Sequence, residues 1–184
     1  VLDQAAAERF LAEAGLGQGF DTTLLAVDSP RPYNPAPLAL AARLAGDLGH
    51  VGIRARVRTV PAWPEYLDLV TRGDYDLAVL GWQADTSDPN DFLTALLGSE
   101  SIGTTNRSRY RSEAMDALLK QGRMAADSQG RLRAYHEAQE LFQKEMPWVP
   151  LYHVSTFTAR RVLLQGLAIG PTGIVRYDKA WKAE

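Results

Sequence analysis

The sequence holds no cysteine among its 184 residues. That excludes disulfides, thiolate metal sites and a cysteine nucleophile, and it is compatible with an oxidising compartment, where stray thiols are a liability. No apolar run approaches the ~20 residues that a membrane-spanning helix needs. An excess of charge is lacking too: 20 Lys and Arg against 22 Asp and Glu leave a net −2, so no global field recruits nucleic acid or anionic lipid. The three histidines, His50, His136 and His153, lie far apart and in no metal-ligand spacing. HExxH, G-x-S-x-G and P-loop patterns are absent. The sequence therefore announces no catalytic constellation, no metal centre and no cofactor. A signal-peptide pattern is missing as well. The chain opens at Val1 with residues 5–14 already helical in pattern, the expectation for a piece of a longer protein or a processed product.

What is present fits a folded core: 46% of the residues are hydrophobic and 23% charged. Ala6, Phe10, Leu11 and Ala14 predict an amphipathic helix over 3–14, capped by Asp3 and ended by Gly15. Gly15, Gly17 and Gly19 follow a helix and lead into a strand, so they read as a turn and not as a dinucleotide loop. A strand over 22–27 runs into a stiff connector, 28–35, that carries Pro30, Pro32 and Pro35. The next helix, 36–48, should bury Leu38, Ala41, Ala42, Leu44, Ala45 and Leu48. In the strand 53–60, Arg54, Arg56 and Arg58 alternate with apolar residues. That row could form an anion site, but it reads better as the solvated face of an edge strand. A helix over 64–71 and a buried strand over 75–80 follow. This alternation predicts an α/β fold with a largely parallel sheet, in which ligands gather beyond the carboxyl ends of the strands.

Residues 81–92 then place Trp82 and three aspartates around Pro89, which suggests a place where a small cationic group is held. Asp88 and Asp91 fit a turn and a helix N-cap at the start of a helix over 91–97. Asp85 is left either as a ligand-facing carboxylate or as one more turn acceptor. Trp82 has an alternative as a core aromatic, and Arg31 as an exposed loop residue. Beyond a polar loop, 98–109, in which Asn106 opens a glycosylation-like triplet, helices are expected over 112–126 and 128–145. Met115, Leu118, Leu119 and Met124 would form the core of the first, and Leu132, Tyr135, Ala138, Leu141 and Phe142 that of the second. From 155 onward the chain reads as extended and turn-rich.

Taken in order, these segments resemble the C-terminal part of the family-5 solute-binding proteins of bacterial ABC importers. The resemblance rests on Arg31-Pro32-Tyr33-Asn34-Pro35, Leu48-Gly49 with Val51-Gly52-Ile53, Glu65-Tyr66-Leu67, and Gly73-Asp74-Tyr75-Asp76. It continues through Gly81-Trp82 with Asp85, Asp88-Pro89 with Phe92, and Met146-Pro147-Trp148-Val149-Pro150-Leu151. It implies the distal lobe of a two-lobe α/β periplasmic-binding-protein-like fold, with a mixed, mostly parallel sheet flanked by helices and the first lobe missing. Residues 1–153 would form that ligand-binding lobe, and 154–184 a return segment packed on the first lobe.

In the dipeptide-binding branch, the resemblance gives Asp85 to the ligand's α-amino group and Arg31 to its carboxylate. Trp82, Tyr33 and Gly81 would line the pocket. Longer-peptide binders often carry a basic residue two positions before Gly-Trp, where this chain has Val79. The implied function is capture of a dipeptide by lobe closure and delivery to a membrane permease. A monomer at the periplasmic or extracellular face of the envelope, either free or lipid-anchored in its full-length form, is the implied form. Alternatives are a longer peptide, a nickel chelate or haem as ligand, or a chemotaxis receptor as the role. The resemblance implies no cofactor, no enzyme activity and no nucleic-acid partner.

Overall fold

β1 (Phe20–Val27) is the strand around which the first half of the chain is built. In the computed structural model, which describes residues 3–83, 85–155, 157–170 and 172–183, β1 pairs in parallel with β2 (Ile53–Val60), from Phe20 against Ile53 to Val27 against Val60. On its other side it pairs in parallel with β3 (Leu77–Ala78), giving the order β2-β1-β3. A central parallel strand is covered on both faces, hence the unbroken apolar run Leu24 to Val27. Leu25 and Val27 pack with Val60, Tyr66, Leu69 and Val70. Leu24 and Ala26 point the other way, onto Ala41. Leu25 is 1% exposed, and full burial of such a side chain stabilises by about 1.5–3 kcal/mol.

Two units make up the chain, 1–81 and 82–184. In the first, α1 (Gln4–Glu13) starts at Asp3, whose carboxylate accepts from the Ala6 N–H. Gly15 after it takes a φ of +75°, as its position predicts. The amphipathic stripe of α1 is not a core stripe, since none of its residues is buried and Phe10 is exposed. In α2 (Pro37–Gly49), Ala41 is buried and Leu44 half-buried. The expected burial of Leu38 and Ala42 fails, because the contact with the sheet is narrower than the apolar face. β2 is an edge strand, and Arg54, Arg56 and Arg58 are exposed on it. Arg54 forks onto the Asp21 carboxylate of β1 at 2.8 and 3.1 Å.

After α3 (Trp63–Arg72), the buried strand expected over 75–80 shrinks to the two residues of β3, with Leu77 exposed. It lies at the other edge of the sheet, with Leu24 against Leu77 and Leu25 against Ala78. Asp76, just before β3, accepts from the hydroxyl and the N–H of Thr23, and these bonds hold its carboxyl below the ordinary carboxylate value.

The second unit holds α4 (Pro89–Leu97), a 3₁₀ turn (Ser99–Ser101), α5 (Glu113–Met124) and α6 (Ser128–Glu145). Leu97, Met115, Leu119, Tyr135 and Ala138 form its core. Met124 and Leu132 are exposed, contrary to the helical reading: Met124 ends α5 and Leu132 sits on the outer side of α6. Asn106 is fully buried, and its amide donates to the carbonyls of Gly98 and Tyr110. The extended C-terminal part forms two small antiparallel ladders. β4 (Leu164–Gln165) pairs with β7 (Trp181–Lys182), and β5 (Ala168–Ile169) pairs with β6 (Val175–Arg176).

Candidate functional site

In the first unit the connector after β1 forms a tight turn. The backbone groups of Arg31 and Asn34 exchange two hydrogen bonds of 2.9 Å, and Asn34 is buried. The guanidinium of Arg31 lies 4.2 Å from the centre of the Trp63 ring. Trp63 opens α3 just beyond the carboxyl end of β2, and its ring stacks on Tyr66 at 5.7 Å and 18°. Tyr66, itself fully buried, donates its hydroxyl to the Val79 carbonyl at 2.6 Å. An arginine, two aromatic rings and the backbone after β3 thus form one stack beyond the carboxyl ends of the strands, where an open α/β sheet presents ligand sites. The Arg31 Nε is buried and has no hydrogen-bond partner among the described residues.

Tyr33, on the same turn, meets Gly81. A Cβ at Gly81 would stand 2.3 Å from Cδ2 of the Tyr33 ring, so the ring lies flush on the glycine backbone. The structure therefore joins Arg31, Tyr33 and Gly81 in one unit. The Val79 side chain packs with Leu24, Ala26 and Ala41, as an apolar residue there should.

The second unit begins with Trp82 and Asp85. Trp82 is half-buried, and its indole N–H is buried without a hydrogen-bond partner among the described residues. A buried indole N–H ordinarily finds an acceptor, so this donor is suited to a bound group. Asp85 is exposed. The turn chemistry falls to its neighbours. Asp91 accepts from the N–H groups of Asp85 and Thr86 at 2.6 and 2.9 Å. Asp88 accepts from the Asn90 N–H as the N-cap of α4. That bond first, and Arg131 after it, hold the Asp88 carboxyl below the ordinary carboxylate value. Asp88 and Asp91 are thus structural, and among the described residues the Asp85 carboxylate takes no part in the turn's hydrogen bonds.

Sequence reasoning missed three residues. Trp63 carried no signal beyond its place at a helix start, because its partner Arg31 comes from a distant loop. Arg131 binds Asp88 through Nη2 at 2.5 and 2.6 Å and donates to the Gly122 carbonyl at 2.8 Å, tying the start of α4 to α5 and α6. Gln83 donates to the Thr172 carbonyl at 2.8 Å, linking the Trp82 loop to the C-terminal ladders. The described residues hold no cluster of side chains suited to a metal ion, and no helix among them is long and apolar enough to cross a membrane.

Comparison with known proteins places this architecture. The sequence profile of the bacterial extracellular solute-binding proteins, family 5 Middle, matches residues 2–104. A dipeptide-binding protein of Pseudomonas aeruginosa is 31% identical over 169 residues, 92% of this chain and 32% of that protein. Heme-binding protein A of Haemophilus influenzae is 30% identical over 93% of this chain and 31% of its own length. Among solved structures, a dipeptide binding protein from Pseudoalteromonas sp. SM9913, in complex with Met-Leu, superposes with a TM-score of 0.85 at 28% identity. That match covers 98% of this chain and 36% of the other. The chain therefore spans about a third of the length of the relatives it matches.

Proposed function

The chain belongs to the bacterial extracellular solute-binding proteins of family 5, and from that premise we propose that it is the peptide-gripping part of an ABC importer's capture protein. The whole protein takes up a dipeptide with free termini outside the cytoplasmic membrane and passes it, unchanged, to a membrane permease. Asp85 receives the ligand's ammonium group and Arg31 its carboxylate. Trp82, Tyr33 and Gly81 contact the ligand between its ends. Residues 154–184 pack against the part of the protein that precedes this chain.

One observation carries this reading. Asp91 and Asp88 satisfy the turn after Gly81-Trp82, and among the described residues no hydrogen bond or ion pair engages the Asp85 carboxylate. A carboxylate facing an ammonium makes a charge-assisted pair that a neutral group does not replace. Arg31 is the complementary choice, because a planar guanidinium can engage both oxygens of a carboxylate. The similar protein that holds Met-Leu adds weight to a dipeptide, and Val79, where a basic residue would suit longer peptides, points the same way.

Calorimetric titration of the full-length protein with Met-Leu, and with its N-acetylated and C-amidated forms, tests the reading. Free Met-Leu should bind at least about tenfold tighter than either blocked form, a difference of ~1.4 kcal/mol. Asp85→Asn should remove most of that affinity. Unchanged affinity in Asp85→Asn refutes the ammonium role. The 30% identity to a haem-binding relative supports a second reading, in which the same protein carries haem. Saturable spectral change on haem titration, together with indifference to blocked peptide termini, would favour it.

A further inference from the structure

We propose that Trp63 is a positioning residue that fixes the direction in which Arg31 presents its guanidinium. The inference rests on the reading of Arg31 as the carboxylate anchor. An arginine side chain on a surface turn has many rotamers, and ordering it costs free energy at the moment of binding. Here that freedom is already restricted. The guanidinium sits 4.2 Å from the Trp63 ring centre, within the range where the ring's quadrupole attracts a cation. The Arg31 Nε is buried without a hydrogen-bond partner among the described residues. An Nε–H sunk against an aromatic platform leaves carboxylate recognition to the terminal nitrogens.

Trp63 is itself held. Its ring stacks on fully buried Tyr66, whose hydroxyl is fixed on the Val79 carbonyl. The platform is thus anchored to the strand that leads into Gly81, so Arg31 and the Tyr33–Gly81 contact share one rigid base. Indole is also the aromatic side chain that holds a cation best.

The test uses the full-length protein titrated with Met-Leu and with its C-terminal amide, in wild type, Trp63→Leu, Trp63→Phe, Arg31→Gln and the Trp63→Leu/Arg31→Gln double variant. Trp63→Leu should weaken binding of free Met-Leu by about 5- to 30-fold, the span of a partly desolvated cation–π contact, and leave the amide's affinity nearly unchanged. Trp63→Phe keeps a ring on Tyr66 and should lose only about threefold, again for the free peptide alone. The double variant should lose no more than Arg31→Gln.

Equal weakening of both ligands in Trp63→Leu marks a merely structural residue and overturns the proposal. So does an unchanged free-to-amide ratio in Trp63→Leu when Arg31→Gln lowers that ratio, in which case the anchor reading survives. If Arg31→Gln leaves the ratio unchanged, or wild type binds no Met-Leu, the anchor reading itself fails and takes this proposal with it. Should melting curves show Trp63→Leu unfolded, Trp63→Phe decides alone: a loss confined to the free peptide supports the proposal, and a uniform loss or none overturns it.

Discussion

The ring of Tyr33 occupies the place where a side chain on Gly81 would begin, 2.3 Å from the position of its Cβ. A methyl group added there must displace the ring or the backbone, and overpacking of this kind costs about 1–3 kcal/mol. Gly81→Ala should therefore destabilise the protein and, on the proposed reading, weaken Met-Leu binding with it. Tyr33→Ala should relieve the clash, so the double variant should be more stable than the sum of the two single losses. Thermal or urea unfolding of the four proteins measures the coupling. Strict additivity would show that the two residues do not meet.

That contact also marks the limit of what could be read in the sequence. The parallel sheet was legible because the apolar run of β1, the alternation of β2 and the intervening helices each follow a local period. The caps at Asp3 and Asp88 were legible for the same reason, since a side chain and the N–H it caps are close in sequence. The turn and cap roles of Asp88 and Asp91 followed from turn chemistry, and the structure adds the N–H groups from which each accepts. Trp63 under Arg31 and Arg131 on Asp88 had no such signal, because each joins segments that only the fold brings together. The apolar faces of α1 and α2 misled for a related reason. Periodicity reveals which side of a helix is apolar, not how much of that side finds a partner.

Tyr66→Phe isolates one support of the platform. The hydroxyl is buried and donates to the Val79 carbonyl at 2.6 Å. Its removal costs a hydrogen bond and leaves a backbone acceptor short, a loss of about 1–1.5 kcal/mol. The ring remains to stack on Trp63, so the free-to-amide preference for Met-Leu should persist. Urea unfolding measures the first effect and calorimetry the second. A lost preference would mean that the hydroxyl, and not the ring, orients the Arg31 platform.

Asn106 forms a glycosylation-like triplet with Arg107 and Ser108, yet its amide is fully buried and its nitrogen serves two carbonyls. Its Oδ1 accepts from the Ser108 hydroxyl, so the triplet is spent on itself. Asn106→Leu would leave two backbone acceptors without their donor, at about 1–3 kcal/mol each. The expected result is a loss of several kcal/mol in urea unfolding, with the Gly98 to Tyr110 loop first to lose protection in hydrogen exchange. A loss under about 1 kcal/mol would mean that water replaces the amide.

Asp88 gives the fold a pH dependence of known sign. The Asn90 N–H and then Arg131 hold its carboxyl below the ordinary carboxylate value, so the folded state binds its proton less readily than the unfolded chain does. The stability it contributes is full above its unfolded pKa of about 3.9 and is lost as the pH falls through the lower folded value. Asp88→Asn keeps a good capping acceptor for Asn90 but cannot titrate or pair as an anion with Arg131. It should lower stability at pH 7 and flatten the fall in stability below about pH 4. Asp88→Ala also loses the cap, about 1 kcal/mol more. Urea unfolding at a series of pH values from neutral to acid gives both quantities. Equal acid limbs in wild type and Asp88→Asn would assign that limb to other carboxylates, with Asp21 and Asp76, also held low by their hydrogen bonds, the next to replace.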